Sequence, residues 1–301
     1  MTEQPLRPAQ IHHRLRAVAL ERGRPVNELL TLYVLERFLA RLAATAHARD
    51  FVLKGGVLLA AYRLRRPTRD VDMQALDFPL DDDHLRAVVA AVAGVESGDG
   101  VDFDAVAVTV EPIRDEDEYQ GLRVHVPARL ASFAMTFKLD VSTGDPITPE
   151  PDVVELPGIL GGVVRVAGHP LPTVVAEKAV TVLQRGTTST RWRDFLDLRS
   201  LARTHRFLAG EIRSASAAVA LHRGVALGPL ADQTVGYEEV AQVKWAAWLR
   251  KNRLEDAAEA SFAAQLGDVL AFVDPVFAPT VDDSAKWDHD AYRWTAPPAD
   301  R

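Results

Sequence analysis

The sequence contains no cysteine among its 301 residues, so disulfide frameworks and thiolate metal sites are both excluded. It also begins without the apolar stretch of a signal peptide, and no later run is apolar for long enough to predict a membrane span. A chain without cysteine is compatible with a reducing compartment. We therefore expect a cytoplasmic protein with no membrane partner.

The chain carries fewer positive than negative side chains, and its net charge is −7. This balance argues against a surface covered with phosphate-binding lysines and arginines, although local basic clusters remain possible. Hydrophobic residues make up 48% of the chain, which is typical of a globular protein. The length suits one large domain or two ordinary ones.

Hydrophobic periodicity predicts a mixed α/β fold: helices, then a mixed sheet flanked by helices, then a helical bundle. We expect two N-terminal helices packed on the core (1–48), an α/β domain (49–170), a helical domain (171–275) and an irregular tail (276–301). In the α/β domain we expect a helix over VLLAAYRL, a hairpin around Gly161 and Gly162, and strands. The predicted strands include 51–53, RDVDMQAL, 105–111, 121–126 and 132–142. The predicted helices of the third region are 172–184, 191–206, 209–222, 236–252 and 256–273.

The strongest local signal is LKGG, followed after thirteen residues by DVDM. On a strand, Asp70 and Asp72 project to the same face with Cα atoms roughly 6.6 Å apart. Carboxylates so placed can bind the pair of hard cations that assists phosphoryl displacement. Gly55 and Gly56 would open a helix after a strand, where their N–H groups can approach a triphosphate. Each motif alone is weak, but their order along the chain favours this chemistry.

A third carboxylate comes from the stretch SFAMTFKLDVS. Its alternation predicts a strand with one apolar face, so Asp140 emerges on the other face and could reach the same metal ions. The alternative is that Asp140 forms a surface ion pair with Lys138, which would contribute little to stability.

Two helical segments carry further charged candidates. Lys178 and Arg185 lie seven residues apart on one helix face and could together neutralise a triphosphate. Asp194 could orient Lys178 or an acceptor hydroxyl, or it could simply be an acidic residue at a helix N-terminus. The sequence leaves these alternatives open.

The pattern of two glycines, a spacer, D-x-D and a later strand carboxylate resembles the DNA polymerase β-type nucleotidyltransferase superfamily. More narrowly, LKGG, RPTRDVD, AEKAVTVLQRG and RDFLDL resemble the AbiEii/MenT nucleotidyltransferase toxins of bacterial type IV toxin–antitoxin systems, over roughly residues 25 to 205. The resemblance implies a nucleotidyltransferase domain whose active site is completed by a helical C-terminal domain. It also implies Mg²⁺ (alternatively Mn²⁺), NTP as substrate, a separate antitoxin, and the 3′ acceptor end of tRNA as the target, which stops translation.

Carried over by position, the resemblance places the metal ligands at Asp70, Asp72 and Asp140, and further catalytic residues at Lys178 and Asp194. The chain departs from many superfamily members at Val57, where a hydroxyl residue would follow the glycines. Phosphate contacts would therefore rely on backbone amides and basic side chains.

The sequence leaves open which molecule accepts the nucleotide. An RNA acceptor needs cations along its approach, and the candidates are arginines close to the motifs: Arg65, Arg66, Arg69, Arg191 and Arg193. The alternatives are a nucleotidyltransferase that modifies a protein or an aminoglycoside, and an inactive interaction module.

Overall fold

The computed structural model describes residues 6–76, 80–113 and 121–296. Contacts divide the chain into two compact units: unit 1 comprises residues 1–144 and 151–169, and unit 2 comprises residues 145–150 and 170–301. The boundaries fall after residues 144, 150 and 169. The chain therefore passes from one unit to the other three times.

Unit 1 contains a mixed sheet with helices. Its helices are α1 (Pro8–Glu21), α2 (Val26–Leu42), α3 (Gly55–Leu58) and α4 (Asp82–Ala93), and a short 3₁₀ helix spans Ala46–Arg49. Its strands are β1 (Phe51–Lys54), β2 (Asp70–Ala75), β3 (Val101–Phe103), β4 (Thr109–Pro112), β5 (Gly121–Leu130), β6 (Phe133–Ser142), β7 (Asp152–Pro157) and β8 (Val163–Gly168). The predicted mixed α/β class is confirmed.

The strand order within the described residues is β3-β5-β6-β2-β1-β8-β7, with β4 paired to β5. The β2–β6 and β1–β8 pairs are parallel, and the other neighbours are antiparallel. Strands β7 and β8 form the hairpin that we predicted around Gly161 and Gly162. On the sheet, Phe38 of α2 packs edge-to-face against Phe103 and Phe137, with centroid distances of 5.7 and 5.2 Å.

Two local predictions for unit 1 need correction. The strand expected at 105–111 begins only at Thr109, because the Asp104 side chain accepts hydrogen bonds from the N–H groups of Val106 and Ala107 and forms a turn. The helix expected over VLLAAYRL ends at Leu58. It continues as tight turns and stops where Arg63 adopts a left-handed conformation with φ of 61°.

Unit 2 is mainly helical. Its helices are α5 (Leu171–Arg185), α6 (Trp192–Thr204), α7 (Ala209–His222), α8 (Leu230–Gln233), α9 (Tyr237–Asn252) and α10 (Phe262–Phe277), with 3₁₀ helices at Gly186–Thr188 and Glu255–Ala257. Five of these α-helices correspond to the predicted ones. An aromatic cluster joins α6, α9 and α10, where Phe262 packs against Phe195 and Trp245 at centroid distances of 5.3 and 5.6 Å.

The end of the chain differs from its prediction. Strands β9 (Lys286–Asp288) and β10 (Arg293–Thr295) form a two-stranded antiparallel sheet inside the segment predicted as an irregular tail. Trp287 is buried and packs on Phe272, so apolar contacts fix this hairpin. Residues 297–301 of the predicted tail lie outside the described residues.

One stretch, Glu255–Phe277, is long and apolar enough to cross a membrane by length and composition, with a mean hydropathy of 1.2. By length and composition it contradicts our prediction that no run of the sequence is apolar enough to span a membrane. Its helical part, α10, buries Phe262, Val269 and Phe272, and Asp268 forms an ion pair with Arg199 of α6. In unit 2 it therefore has the contacts of a core helix.

Candidate active site

Four charged residues form a row across adjacent strands of unit 1. In the strand register, Lys54 of β1 lies opposite Asp72 of β2, Asp72 lies opposite Asp140 of β6, and Asp140 lies opposite Arg123 of β5. The order of charge is positive, negative, negative, positive. Parallel pairing of β2 and β6 brings together carboxylates that are 68 positions apart in the sequence.

The predicted alternation on β2 is confirmed. Val71 and Met73 are buried in the core, whereas Asp70 and Asp72 are half-buried on the other face. Because Asp70 is two residues from Asp72, both carboxylates share the face that carries the charged row.

Asp140 has a different partner from the one we expected. The Arg123 guanidinium donates two hydrogen bonds to its carboxylate, from Nε at 2.8 Å and Nη2 at 2.7 Å. Lys138, which we considered as the partner, lies opposite Asp70 in the register. The fork of Arg123 fixes the plane of the carboxylate, which a lysine ammonium cannot do.

The pKa of Asp72 is raised above its ordinary range. The first cause is removal from water, and the negative charges of Asp140 and Asp70 add to it. Lys54 and a hydrogen bond from the Gly56 N–H act in the opposite direction without cancelling the shift. A carboxylate held under such repulsion gains from a cation placed beside it.

Gly55 and Gly56 have identifiable structural roles beside this carboxylate. Gly55 has φ of +66°, and a Cβ there would lie 2.0 Å from Asp72 Oδ2. A Cβ on Gly56 would lie 2.9 Å from Thr68 Oγ1. Gly55 thus lets the backbone approach Asp72 closely, and Gly56 lets it approach Thr68. Its role in phosphate binding stays a prediction, and α3 is too short to contribute a full helix dipole.

The donor set suits a hard divalent cation, because carboxylate oxygens are the ligands that Mg²⁺ and Mn²⁺ prefer. The carboxylates of Asp70, Asp72 and Asp140 are not among the groups of described residues whose candidate ligand atoms all lie within 4.8 Å of one another. The neighbours are nevertheless close enough to raise the pKa of Asp72. The arrangement fits cation binding by Asp70 and Asp72, with Asp140 held by Arg123.

Unit 2 gathers Lys178 with two acidic residues of α6. The Lys178 ammonium donates to Asp194 Oδ1 at 3.1 Å and to Asp197 Oδ2 at 2.7 Å, and both carboxylates are buried. Arg191 also binds Asp194, at 2.7 Å. These cations lower the pKa of Asp194 to about 2, against the opposing effect of burial.

Of the alternatives left open for Asp194, the structure shows contact with Lys178. Arg185 is the last residue of α5, about two turns from Lys178, and is half-buried. Its proposed part in triphosphate binding stays a prediction, as does that of Lys178.

Lys54 and Arg123 were not among the residues predicted for the site. Lys54 lies within the LKGG motif, but its position opposite Asp72 depends on strand pairing. Arg123 lies on a strand whose alternation is visible in the sequence, although nothing in that pattern assigns it to Asp140.

The comparison with protein families decides the relationship. The model of the nucleotidyl transferase AbiEii toxin family, from type IV toxin–antitoxin systems, matches residues 37–292. The chain belongs to this family. As an AbiEii-family protein it is a nucleotidyltransferase toxin, for which the family implies an NTP substrate and a cognate antitoxin.

Solved structures resemble this AbiEii-family chain at low sequence identity. A Helicobacter pylori protein described as a candidate nucleotidyltransferase is 19% identical, with a TM-score of 0.50, covering 85% of this chain and 98% of its own. JHP933 from H. pylori is 18% identical (TM-score 0.49; 84% and 94% covered). MenT4, a nucleotidyltransferase toxin from Mycobacterium tuberculosis, is 19% identical (TM-score 0.46; 70% and 69% covered).

The first of these likenesses supports the nucleotidyltransferase-type fold of this AbiEii-family protein. A search of curated proteins gave no match.

Proposed function

We propose that this toxin transfers a nucleotide from an NTP to RNA, with the 3′ acceptor end of tRNA as the target, and thereby blocks translation. The observation that carries the chemistry is the placement of Asp70 and Asp72 beside Asp140 on neighbouring strands. The acceptor is proposed from the resemblance to the MenT branch of the family. NTP and tRNA are both cytoplasmic, so the cytoplasm is the proposed location.

Mg²⁺, with Mn²⁺ as a substitute, is the proposed cofactor. Asp70 and Asp72 would hold it, with Asp140 as the third carboxylate, and it would supply charge stabilisation at the transferred phosphoryl group. The protein's own contribution is to hold the oxygens in place. The Gly56 N–H binds Asp72 and the Arg123 fork binds Asp140, so both carboxylates are oriented before a ligand arrives.

The test is a labelling assay with purified protein, Mg²⁺ and each of the four α-³²P-labelled NTPs. Total RNA and total protein from bacterial cells serve as acceptors in separate reactions. We expect label in RNA of tRNA size, and none with the double variant Asp70→Asn/Asp72→Asn. The control is Asp102→Asn, which changes an exposed carboxylate on β3 of the same unit.

Three outcomes would contradict the proposal at different levels. Label in protein would replace RNA by a protein acceptor. Label that appears only when an aminoglycoside is added would assign a small-molecule acceptor. Full activity of the Asp70→Asn/Asp72→Asn variant at saturating Mg²⁺ would rule out this carboxylate centre.

A further inference from the structure

A second group of potential metal ligands lies in unit 1, outside the charged row. It consists of His47 in the 3₁₀ helix before β1, Asp50 immediately before β1, and His84 in the first turn of α4. Their candidate ligand atoms all lie within 4.8 Å of one another. Because Asp50 and Lys54 lie at opposite ends of β1, whose four residues span about 10 Å, this group is separate from the Asp72 centre.

Both histidines of the group face one carboxylate oxygen of Asp50. Asp50 Oδ2 lies 2.9 Å from His47 Nδ1 and 3.4 Å from His84 Nε2. Ligand atoms about 2.0–2.1 Å from a tetrahedral ion lie about 3.3 Å apart, which is close to the His84 distance, whereas the His47 distance is that of a hydrogen bond that an ion would replace. The His84 ring also packs edge-to-face on the His47 ring, with centroids 5.2 Å apart, so the two imidazoles converge on the same oxygen.

The backbone holds each ligand in position independently of the other two. The His47 N–H donates to Thr45 Oγ1 at 3.2 Å, and the Asp50 carbonyl accepts from Leu76 N–H at 2.9 Å. The His84 N–H donates to the helix-capping carboxylate of Asp81 at 2.7 Å. The backbone at each of the three ligands is therefore held in place before an ion binds.

The ligand set decides the class of ion. Two imidazoles and one carboxylate suit a first-row transition dication such as Zn²⁺, whereas Mg²⁺ and Ca²⁺ prefer oxygen donors alone. The side chains of His47, Asp50 and His84 are 26%, 29% and 28% exposed. A water molecule can therefore complete a tetrahedral site with three protein ligands.

We propose that His47, Asp50 and His84 bind a Zn²⁺-type dication that fastens the first turn of α4 to the start of β1. The ion links segments 34 positions apart, between Asp50 and His84. Its binding would stabilise unit 1 by mass action, because an unfolded chain does not present the three ligands together.

The test uses the full chain carrying Asp70→Asn and Asp72→Asn, so that the carboxylate centre does not contribute to metal binding. Co²⁺ is the spectroscopic probe and Zn²⁺ the competitor. We expect one Co²⁺ per chain, with a d–d absorption spectrum of a low-coordinate nitrogen- and oxygen-ligated ion that Zn²⁺ abolishes. With Zn²⁺ at about a hundredfold excess over its Kd, the Tm should rise by about 5 °C relative to the protein in EDTA.

The variants His47→Gln and His84→Gln should each weaken metal binding by about tenfold or more and at least halve the Tm rise at the same Zn²⁺ concentration. Glutamine keeps a hydrogen-bonding group beside Asp50, so the fold should persist, which circular dichroism verifies. The matched control is His125→Gln, since His125 of β5 also pairs with a carboxylate, Glu111 at 2.9 Å, without a second histidine in the pair.

A third set of potential metal ligands offers an alternative location for the bound Co²⁺. Asp288, His289 and Asp290 are consecutive residues at the end of β9, in unit 2. A Co²⁺ spectrum that is lost in His289→Gln and kept in His47→Gln would place the ion there and overturn the proposal. Absence of Co²⁺ binding and of a Zn²⁺-dependent Tm rise would also overturn it, and neither result bears on nucleotide transfer.

Discussion

At the scale of single residues, the carboxylates of Asp72 and Asp194 differ in the charges that surround them. Asp72 lies among negative charges and its pKa is raised, whereas Asp194 lies between Lys178 and Arg191 and its pKa is lowered to about 2. The carboxylate of Asp72 has more negative than positive charge around it, whereas the carboxylate of Asp194 contacts two cationic side chains. Asp72 is therefore suited to receive a cation, and Asp194 is suited to hold one already supplied by the chain.

The raised pKa of Asp72 predicts how stability depends on pH without divalent metal. The folded state binds more protons than the unfolded state, so the free energy of unfolding should fall as the pH rises from the ordinary range near 3.8 through the raised value. Asp72→Asn should remove this decline and make the protein in EDTA more stable than the wild type at pH 7. Denaturant titrations between pH 4 and 8 measure the difference. A variant that is less stable than the wild type at pH 7 would argue against repulsion at Asp72.

Replacing Lys178, which contacts Asp194 and Asp197, should destabilise the protein. This effect must be separated from any loss of activity. Lys178→Ala leaves two buried carboxylates short of positive charge, and we expect the free energy of unfolding to fall by about 3–5 kcal/mol. The control is Lys178→Met/Asp197→Asn, which removes one charge of each sign and should recover most of that stability. If this double variant is stable and binds NTP as tightly as the wild type, Lys178 has no part in triphosphate binding.

At the scale of elements, strand pairing builds the site. Strand β2 supplies Asp70 and Asp72, the parallel strand β6 supplies Asp140, and β5 supplies the arginine that holds it. The turn after β1 must also leave space for Asp72, which only residues without a Cβ can do at Gly55.

Gly55→Ala tests that close approach. A Cβ there would lie 2.0 Å from Asp72 Oδ2 on a backbone with φ of +66°. The control is Gly23→Ala, where φ is +59° and no atom lies within 4 Å of the added Cβ. Gly23→Ala should cost about 1 kcal/mol for the left-handed conformation alone. Gly55→Ala should cost at least about 2 kcal/mol more and abolish transfer because Asp72 is displaced. Equal Tm values would refute a steric role for Gly55.

The Arg123–Asp140 pair offers a test of whether Asp140 is a metal ligand. If Asp140 only pairs with Arg123, then Asp140→Asn and Arg123→Gln should lower stability alike and leave the Mg²⁺ requirement of transfer unchanged. If Asp140 helps to hold the ion, we expect Asp140→Asn to raise the Mg²⁺ concentration for half-maximal rate by about tenfold or more. Arg123→Gln should not raise it to that extent. Initial rates in Mg²⁺ titrations of both variants give the answer.

Much of this element structure could be predicted from the sequence, because alternation and helical periodicity are local properties. The faces of β2 and β6, the β7–β8 hairpin and most helices of unit 2 follow from such patterns. Alternation does not give the register between two strands, so neither the Arg123–Asp140 pair nor the position of Lys54 opposite Asp72 could be predicted. The early end of α3 was also missed, because the sequence VLLAAYRL favours a longer helix. The left-handed conformation of Arg63, which ends the turns after α3, has no signal in the sequence.

At the scale of the whole molecule, the negative net charge limits where RNA could approach. Arg65, one of the arginines that we considered, already forms an ion pair with the buried Glu36 and donates to the Pro157 carbonyl. Glu36 also accepts a hydrogen bond from the Ile159 N–H at 3.1 Å. Replacing Arg65 would therefore disturb a buried carboxylate. Arg69 is exposed immediately before β2 and is the better probe.

Transfer to tRNA should fall steeply as salt is added, because cations that contact phosphates release counterions. Arg69→Ala should raise the apparent KM for tRNA and make the logarithmic salt slope shallower by about one, with little change in NTP affinity. The control is Arg165→Ala, an exposed arginine of β8 that pairs with Glu155. Initial rates at several salt and tRNA concentrations provide the slopes. A slope that Arg69→Ala leaves unchanged would place the RNA path elsewhere.

Because the chain passes between the units three times, recombination between genes of related proteins is constrained. Residues 145–150 belong to unit 2, where Asp145 forms a buried ion pair with Arg223 of the segment after α7 at 2.5 Å, while 151–169 return to unit 1. A single crossover between two related genes, wherever it falls, leaves at least one unit assembled from both parents. A crossover after His169, for example, would pair Asp145 of one parent with position 223 of the other. Exchange of an intact unit between relatives therefore requires several crossovers at once, and single-crossover hybrids survive only where both parents carry compatible residues at such contacts.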